Sequence, residues 1–319
     1  MSIETTQAAG SAVSATAKDL WTTALRIVLP EGNDEDKLPL YVDFGRARPL
    51  QEEPKSSHWR AAKPTAALPM IDESRGFEST SRRAAGLPAG MRVSFGTIMN
   101  GFPASYWRKW TDVKTVRLRL ILSGSASLMI YQSTAQGKAQ RIDTVQIENA
   151  SAQEVVRELP LRAFADGGWY WFDLVSHGHG RLDEGEWQVL GAPPRPGKMS
   201  IGITTFNRPD YCAQTLQALG STTELIERIN RVYVVDQGTK HVEDDSGFPL
   251  AQQLLGDKLR IIYQDNLGGS GGFSRGMYES ARAGESEYHL VLDDDVQIEP
   301  ESIERALIFA GFCRNPTIV

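Results

Sequence analysis

Near residue 191 the hydrophobic pattern changes period, and this change constrains the fold more than any other feature of the chain. From Trp21 to Leu190 apolar and polar residues alternate in "VRLRLIL" (Val116 to Leu122), "SLMIYQ" (Ser127 to Gln132) and "WYWFDLV" (Trp169 to Val175), with turns rich in Gly, Ser and Asp between them. A period of two puts one face of each segment in a core, which predicts strands. Many short strands together predict an all-β sandwich or barrel. After "GAPPRPGKMS" (Gly191 to Ser200) apolar runs alternate with helical stretches: "SIGITTF", a helix from about Asp210 to Ala218, "RVYVVD", "LRIIYQ", a helix from Phe273 to Ala283, "YHLVLD", and a helix from Glu301. That β-α-β-α order implies a parallel sheet covered by helices. The Pro- and Gly-rich decapeptide reads as a linker. A multi-domain chain is therefore expected, with a disordered lead over 1–19, a β-domain over 20–192 and a Rossmann-like α/β domain over 193–319.

The bulk numbers narrow the function. A chain of 319 residues is long enough for two domains, each with its own core. With 34 Lys and Arg against 40 Asp and Glu, net −6, it is no general binder of a phosphate backbone, so nucleic acid is excluded as a partner. Two cysteines far apart, Cys212 and Cys313, build neither a disulfide framework nor a four-ligand zinc site. A reducing, cytoplasmic setting follows as the expectation. The opening "MSIETTQAAGSAVSATAKD" is small and polar and lacks the basic start and apolar stretch of a signal peptide. No apolar run approaches the roughly 18 residues that span a bilayer, so any membrane contact is expected to be peripheral. The segment from Arg48 to Gly90, rich in Pro, Ser, Arg and Ala, reads as a long surface excursion.

In open α/β sheets ligands bind outside the carboxyl ends of the strands. Four unusual clusters fall just there: "TTFNR" (Thr204 to Arg208), "DQG" (Asp236 to Gly238), "DNLGGSGG" (Asp265 to Gly272) and "DDD" (Asp293 to Asp295). Side chains alternate along an extended backbone, so Asp293 and Asp295 point one way and Asp294 another. Two carboxylates on one side suit Mg²⁺ or Mn²⁺, which complete their shells with water and phosphate oxygens. Taken alone, such a triplet is more simply a helix cap or a solvated strand end. An EF-hand does not, because Ile298 stands where its glycine is needed. The glycine-rich run lets backbone approach an anion at a helix start, although it matches neither the P-loop nor the dinucleotide fingerprint, and a plain flexible loop stays open. Arg208 offers a planar fork for a phosphate or a pyrimidine edge, or is a surface arginine at a helix start. Asp236 would accept from a base or a ribose, or organise a turn. "SHGHG" (His177, His179) reads as a loop before a metal site, and the aromatics of "YWRKW" (Tyr106, Trp107, Trp110) as core or domain interface before a sugar platform.

Together "TTFNRPDYC", "VVDQG", "QDNLGGSGGFSRGMYE" and "LDDDVQIEPESI", with "FPASYWRKWT" upstream, resemble the polymerising UDP-galactofuranosyltransferases of mycolic-acid-containing bacteria, which are inverting enzymes of the GT-A fold. The resemblance implies transfer of galactofuranose from UDP-galactofuranose to a galactan on a polyprenyl diphosphate, for cell-wall arabinogalactan, at the inner face of the plasma membrane. It implies that Thr205, Arg208 and Asp236 contact the uridine diphosphate, and that Asn266, Gly268 and Gly269 line the donor pocket. Asp293 and Asp295 would hold Mn²⁺ or Mg²⁺, with Asp293 and Asp294 also at the nucleotide sugar. The family's general base and a further His ligand would lie beyond Val319, so a C-terminally truncated GT-A domain is expected, with no catalytic base within the chain. Homo-oligomerisation stays open. A non-catalytic glycan-binding module and a nucleotidyltransferase are the other readings.

Overall fold

The computed structural model describes residues 20–30, 36–45 and 77–319. The expected lead over 1–19 and most of the Arg48 to Gly90 excursion lie outside the described residues. From residue 77 onward that excursion is part of the sheet, with Ala85 and Leu87 buried.

The first domain is one antiparallel sheet of β1 (Trp21–Arg26), β2 (Asp43–Gly45), β3 (Glu78–Ser79), β4 (Ala85–Leu87), β5 (Arg92–Ser94), β6 (Thr115–Ser133), β7 (Ala139–Pro160), β8 (Tyr170–Ser176) and β9 (Gly180–Leu190). Its spine is β6, which pairs with β7 along one edge. Along the other edge it pairs with β9 over Val116 to Ser123 and with β8 over Ala126 to Gln132. The change of partner falls at Gly124, φ +82°, where a Cβ would sit 1.8 Å from the His179 carbonyl oxygen, so glycine is required. "VRLRLIL" and "SLMIYQ" were expected as separate strands; β6 runs through both, because the glycine bends it with a register shift and does not break it. Leu118, Leu120, Leu122, Leu128 and Ile130 point inward and meet Phe95, Phe172 and Trp187 in a single core. Both halves of the sheet feed that core, so the expected sandwich or barrel is, among the described strands, one sheet curled around it.

The short helix α1 (Ala104–Trp110) crosses this domain's end. The second domain has a parallel sheet of β10 (Met199–Thr205), β11 (Ile229–Asp236), β12 (Leu259–Tyr263) and β13 (Tyr288–Asp293), in the order β12-β11-β10-β13. One face packs on α2 (Pro209–Gly220), α3 (Thr223–Arg228) and α4 (Phe248–Leu255), where Ile201, Ile203, Val232 and Val234 meet Cys212, Leu216, Leu225 and Leu255. The other face carries α5 (Gly268–Ala283), while α6 (Pro300–Phe312), which follows β13, packs through Leu307 into the core beside α3. α5 was expected to start at Phe273 and starts at Gly268. Gly272, Gly276 and Ser280 recur every four residues on one face of α5, and a Cβ on Gly276 would stand 3.4 Å from the Gly202 Cα. The glycines therefore serve close packing of helix on sheet, which overrides their poor helix propensity.

The two domains share a packed boundary. Phe312 of α6 belongs to the β-domain core, and Trp107 of α1 lies between Phe309 and Phe312 at centroid distances of 5.2 and 5.4 Å. Arg26 pairs with Glu304 at 2.6 Å and Glu301 at 3.4 Å. Arg305 donates to the carbonyls of Met99 (2.5 Å) and Arg26 (2.6 Å). Arg82 pairs with Glu299, which also accepts from Tyr41 Oη at 2.6 Å. Burial and the Glu299 carboxylate push the Tyr41 phenol up to about 12. The segment expected to behave as a linker is held down: Arg195 donates to the carbonyls of Cys313 (3.1 Å) and Arg314 (2.6 Å) and accepts from Tyr288 Oη at 3.0 Å.

Candidate functional site: a crevice at the sheet's switch point

The chain leaves β10 for β11 on one side and returns to its other side as β13. The crevice between the carboxyl ends of β10 and β13 is thus the topological switch point. Register sets its contents. Thr204 lies opposite Asp293, and Thr205 opposite Asp236. Asp293 and Asp295 are exposed while Asp294 is buried; β13 ends at Asp293, so a turn at Asp294 and Asp295, and not strand alternation, sets this.

Arg208 occupies the position before α2 without capping it and reaches Asp295 at 2.6 Å, with its guanidinium 5.6 Å from the centre of the Tyr211 ring. Thr215 Oγ1 donates to the Asp294 carbonyl at 2.9 Å, tying the triplet to α2. Burial raises the Asp294 carboxyl above the ordinary range, with Asp295 and Asp293 adding to the rise and Thr205 and Arg208 opposing it. The hydroxyls of Thr204 and Thr205 are both buried, and that of Thr204 lacks a hydrogen-bond partner. The triplet does not cap α6; Glu299 does, accepting from Glu301 N at 3.3 Å.

The two loops beyond β11 and β12 are organised from within. Asp236 Oδ1 accepts from Gly238 N (2.9 Å), and Oδ2 accepts from Val242 N (3.0 Å) and pairs with His241 Nδ1 (3.2 Å). Asn266 Oδ1 accepts from Gly268 N at 2.9 Å, and Gly268 holds φ +68°. Two positioning residues escaped the sequence reading. Asn207, at φ +57°, accepts on Oδ1 from Thr239 N (2.8 Å) and Lys240 N (2.9 Å), fastening the β10 loop to the β11 loop. Gln237 accepts from Leu267 N (2.8 Å) and donates to Gly268 O (3.1 Å), fastening β11 to the start of α5. The only signal was an Asn before Arg-Pro and an amide beside a strand-end Asp, both common in turns.

Among the described residues no three His, Cys, Asp or Glu side chains cluster as a ready-made metal cage. The donor set of Asp293 and Asp295, two hard oxygen ligands on an open edge, fits a divalent cation that keeps water and takes phosphate oxygens. His177 bonds Ser127 Oγ at 2.6 Å, and Trp107 is interface core, while Tyr106 and Trp110 are exposed.

The architecture and this crevice define a glycosyltransferase-like α/β domain joined to a β-domain. The description "Glycosyltransferase like family 2" matches residues 194–315, and "Galactofuranosyltransferase 2 N-terminal" matches residues 67–189. The chain is 40% identical over 248 residues to galactofuranosyltransferase GlfT2 of Mycolicibacterium smegmatis, which covers 77% of this chain and 38% of that protein. It is 37% identical over 247 residues to galactofuranosyltransferase GlfT2 of Mycobacterium tuberculosis, 77% of this chain and 39% of that protein. The matches run along both domains, so the chain is similar to galactofuranosyltransferases over most of its own length. It spans about two fifths of the length of these relatives. A mannosyltransferase structure from Pyrobaculum calidifontis, in complex with GDP-Man and Mn²⁺, is 15% identical over 40% of this chain and 36% of that one with a TM-score of 0.29, too distant to bear on the site.

Proposed function

We propose that the switch-point crevice binds the nucleotide sugar of a galactofuranosyl transfer, with UDP-galactofuranose as donor and a galactan on a polyprenyl diphosphate as acceptor, with inversion at the transferred sugar. The observation that carries this is the convergence of Thr205, Arg208 and the Asp293 to Asp295 triplet on one crevice, with Asp236 and Asn266 shaping its loops. The relatives named above support the choice of sugar.

In this reading Arg208 presents its fork to the diphosphate, and Asp295, its partner at 2.6 Å, keeps it oriented until then. Asn266 and Gln237 hold the first turn of α5, and the positive end of that helix's dipole would favour developing negative charge. Asp293 and Asp295 would hold Mn²⁺ or Mg²⁺, which supplies positive charge to the departing diphosphate. The acceptor hydroxyl's proton needs a general base, a role assigned to none of the residues described. No helix among the described residues is long and apolar enough to cross a membrane. A lipid-linked acceptor would bring the protein to the inner face of the plasma membrane through peripheral contact.

The test is calorimetry of UDP binding with and without Mn²⁺. Mn²⁺ is expected to tighten binding about tenfold, ~1.4 kcal/mol, and the effect should vanish in the Asp293→Ala, Asp295→Ala double variant. UDP affinity indifferent to Mn²⁺ in a folded sample overturns the reading.

A further inference from the structure

The β-domain carries a second candidate site, lined by none of the residues of the donor crevice. A cavity of about 380 Å³ opens there, lined by Trp169 and Trp171 of the β8 region together with Thr97, Ile98 and Ser133. Its volume falls in the lower part of the ordinary ligand-site range, roughly 300–1,000 Å³. Trp171 is clamped: the Tyr131 ring stacks on it at 5.4 Å and 9°, and a Cβ on Gly96 would stand 2.8 Å from its Cδ1. Trp169 rests against Gly101, where a Cβ would come within 3.3 Å of its ring, and remains 36% exposed. Glycine at 96 and 101 therefore lets the loop lie against the two indoles and fixes them as rigid walls.

Two features select the ligand. None of the lining side chains is charged, whereas the cavity beside α1 is lined by Arg108, Lys109, Lys114 and Arg162, and the one beside α5 by Arg231, Arg260, Arg275 and Arg282. Neither indole N–H of Trp169 or Trp171 has a hydrogen-bond partner among the described residues. Apolar aromatic walls, free N–H donors and flanking hydroxyls suit a ring with an aliphatic face and hydroxyls around its edge. We propose that this cavity binds an uncharged saccharide chain. Resting on the function proposed above, that chain is the galactan acceptor, held by the β-domain while the α/β domain holds the donor.

The experiment is calorimetry of the full chain with a neutral galactofuranose hexasaccharide, and separately with maltohexaose and a heparin hexasaccharide. The galactofuranose oligomer is expected to bind, with affinity reduced about tenfold in Trp169→Ala, reduced less in Trp169→Phe, which keeps a stacking face, and unchanged in Asp293→Ala, Asp295→Ala. Maltohexaose binding in its place, lost in the same tryptophan variant, keeps the cavity and removes the galactan assignment. Failure of both neutral oligomers, preferential heparin binding, or affinity untouched in both tryptophan variants overturns the proposal. UDP binding is read in the same samples, so failure at the donor crevice is distinguished from failure here.

Discussion

Asp294 is the member of the acidic triplet that the fold takes inside, and its cost is legible in its titration. Its folded-state carboxyl is raised, chiefly by burial. The neutral form is therefore favoured in the folded protein, and the associated stability is present below the unfolded carboxyl's pKa, about 3.9, and lost as pH rises through the folded one. Asp294→Asn is expected to raise the melting temperature at neutral pH by a few degrees, with the gain shrinking towards zero below about pH 4; thermal scans across pH check this. A gain that persists unchanged in acid would mean that ionisation is not its origin. Asn207 makes a second case. Alanine there loses an acceptor for two backbone N–H groups and sits poorly at φ +57°. Asn207→Ala is expected to cost about 2–3 kcal/mol in chemical denaturation, while Asn207→Gly recovers the backbone share alone.

Among elements, α5 shows how close packing outweighs propensity. A Cβ on Gly272 would meet Thr204 Cγ2 at 2.2 Å. Gly272→Ala is expected to destabilise by about 1–3 kcal/mol, and adding Thr204→Ala should give a loss smaller than the sum of the single changes. Additivity within experimental error would place the contact elsewhere. The same helix explains why its start was misread: "GGSGG" has the composition of a loop, and the small face that makes it helical is defined only by Gly202 and Thr204 on a strand distant in sequence. Period and order were enough to locate all four parallel strands, α2 and α6, because each carries an unbroken apolar face. β7 left little such trace, since its 22 residues are mostly exposed on both sides and pair only with β6. α3 and α4 are short, at six and eight residues, and give too few turns for a stripe to stand out. Of the donor crevice, the strand-end residues were readable from sequence. The loop fasteners Asn207 and Gln237 were not, because their partners are backbone atoms of other loops.

At the scale of the whole molecule the two domains are joined through apolar and charged groups together. Trp107 is 3% exposed against Phe102, Phe309 and Phe312. Trp107→Ala is expected to cost about 3–5 kcal/mol and to split a single cooperative thermal transition into two, as followed by calorimetry; one undivided transition in the variant would show that the remaining contacts couple the domains. Glu304→Gln should cost about 2 kcal/mol, less than a fully buried pair, because Arg26 keeps Glu301 and its side chain is 22% exposed.

α6, though encoded with the second domain, inserts Phe312 into the core of the first. A gene cut at the Pro-rich segment would therefore yield a β-domain with a gap where that phenyl ring belongs. The boundary visible in composition is not a place where the folded chain comes apart.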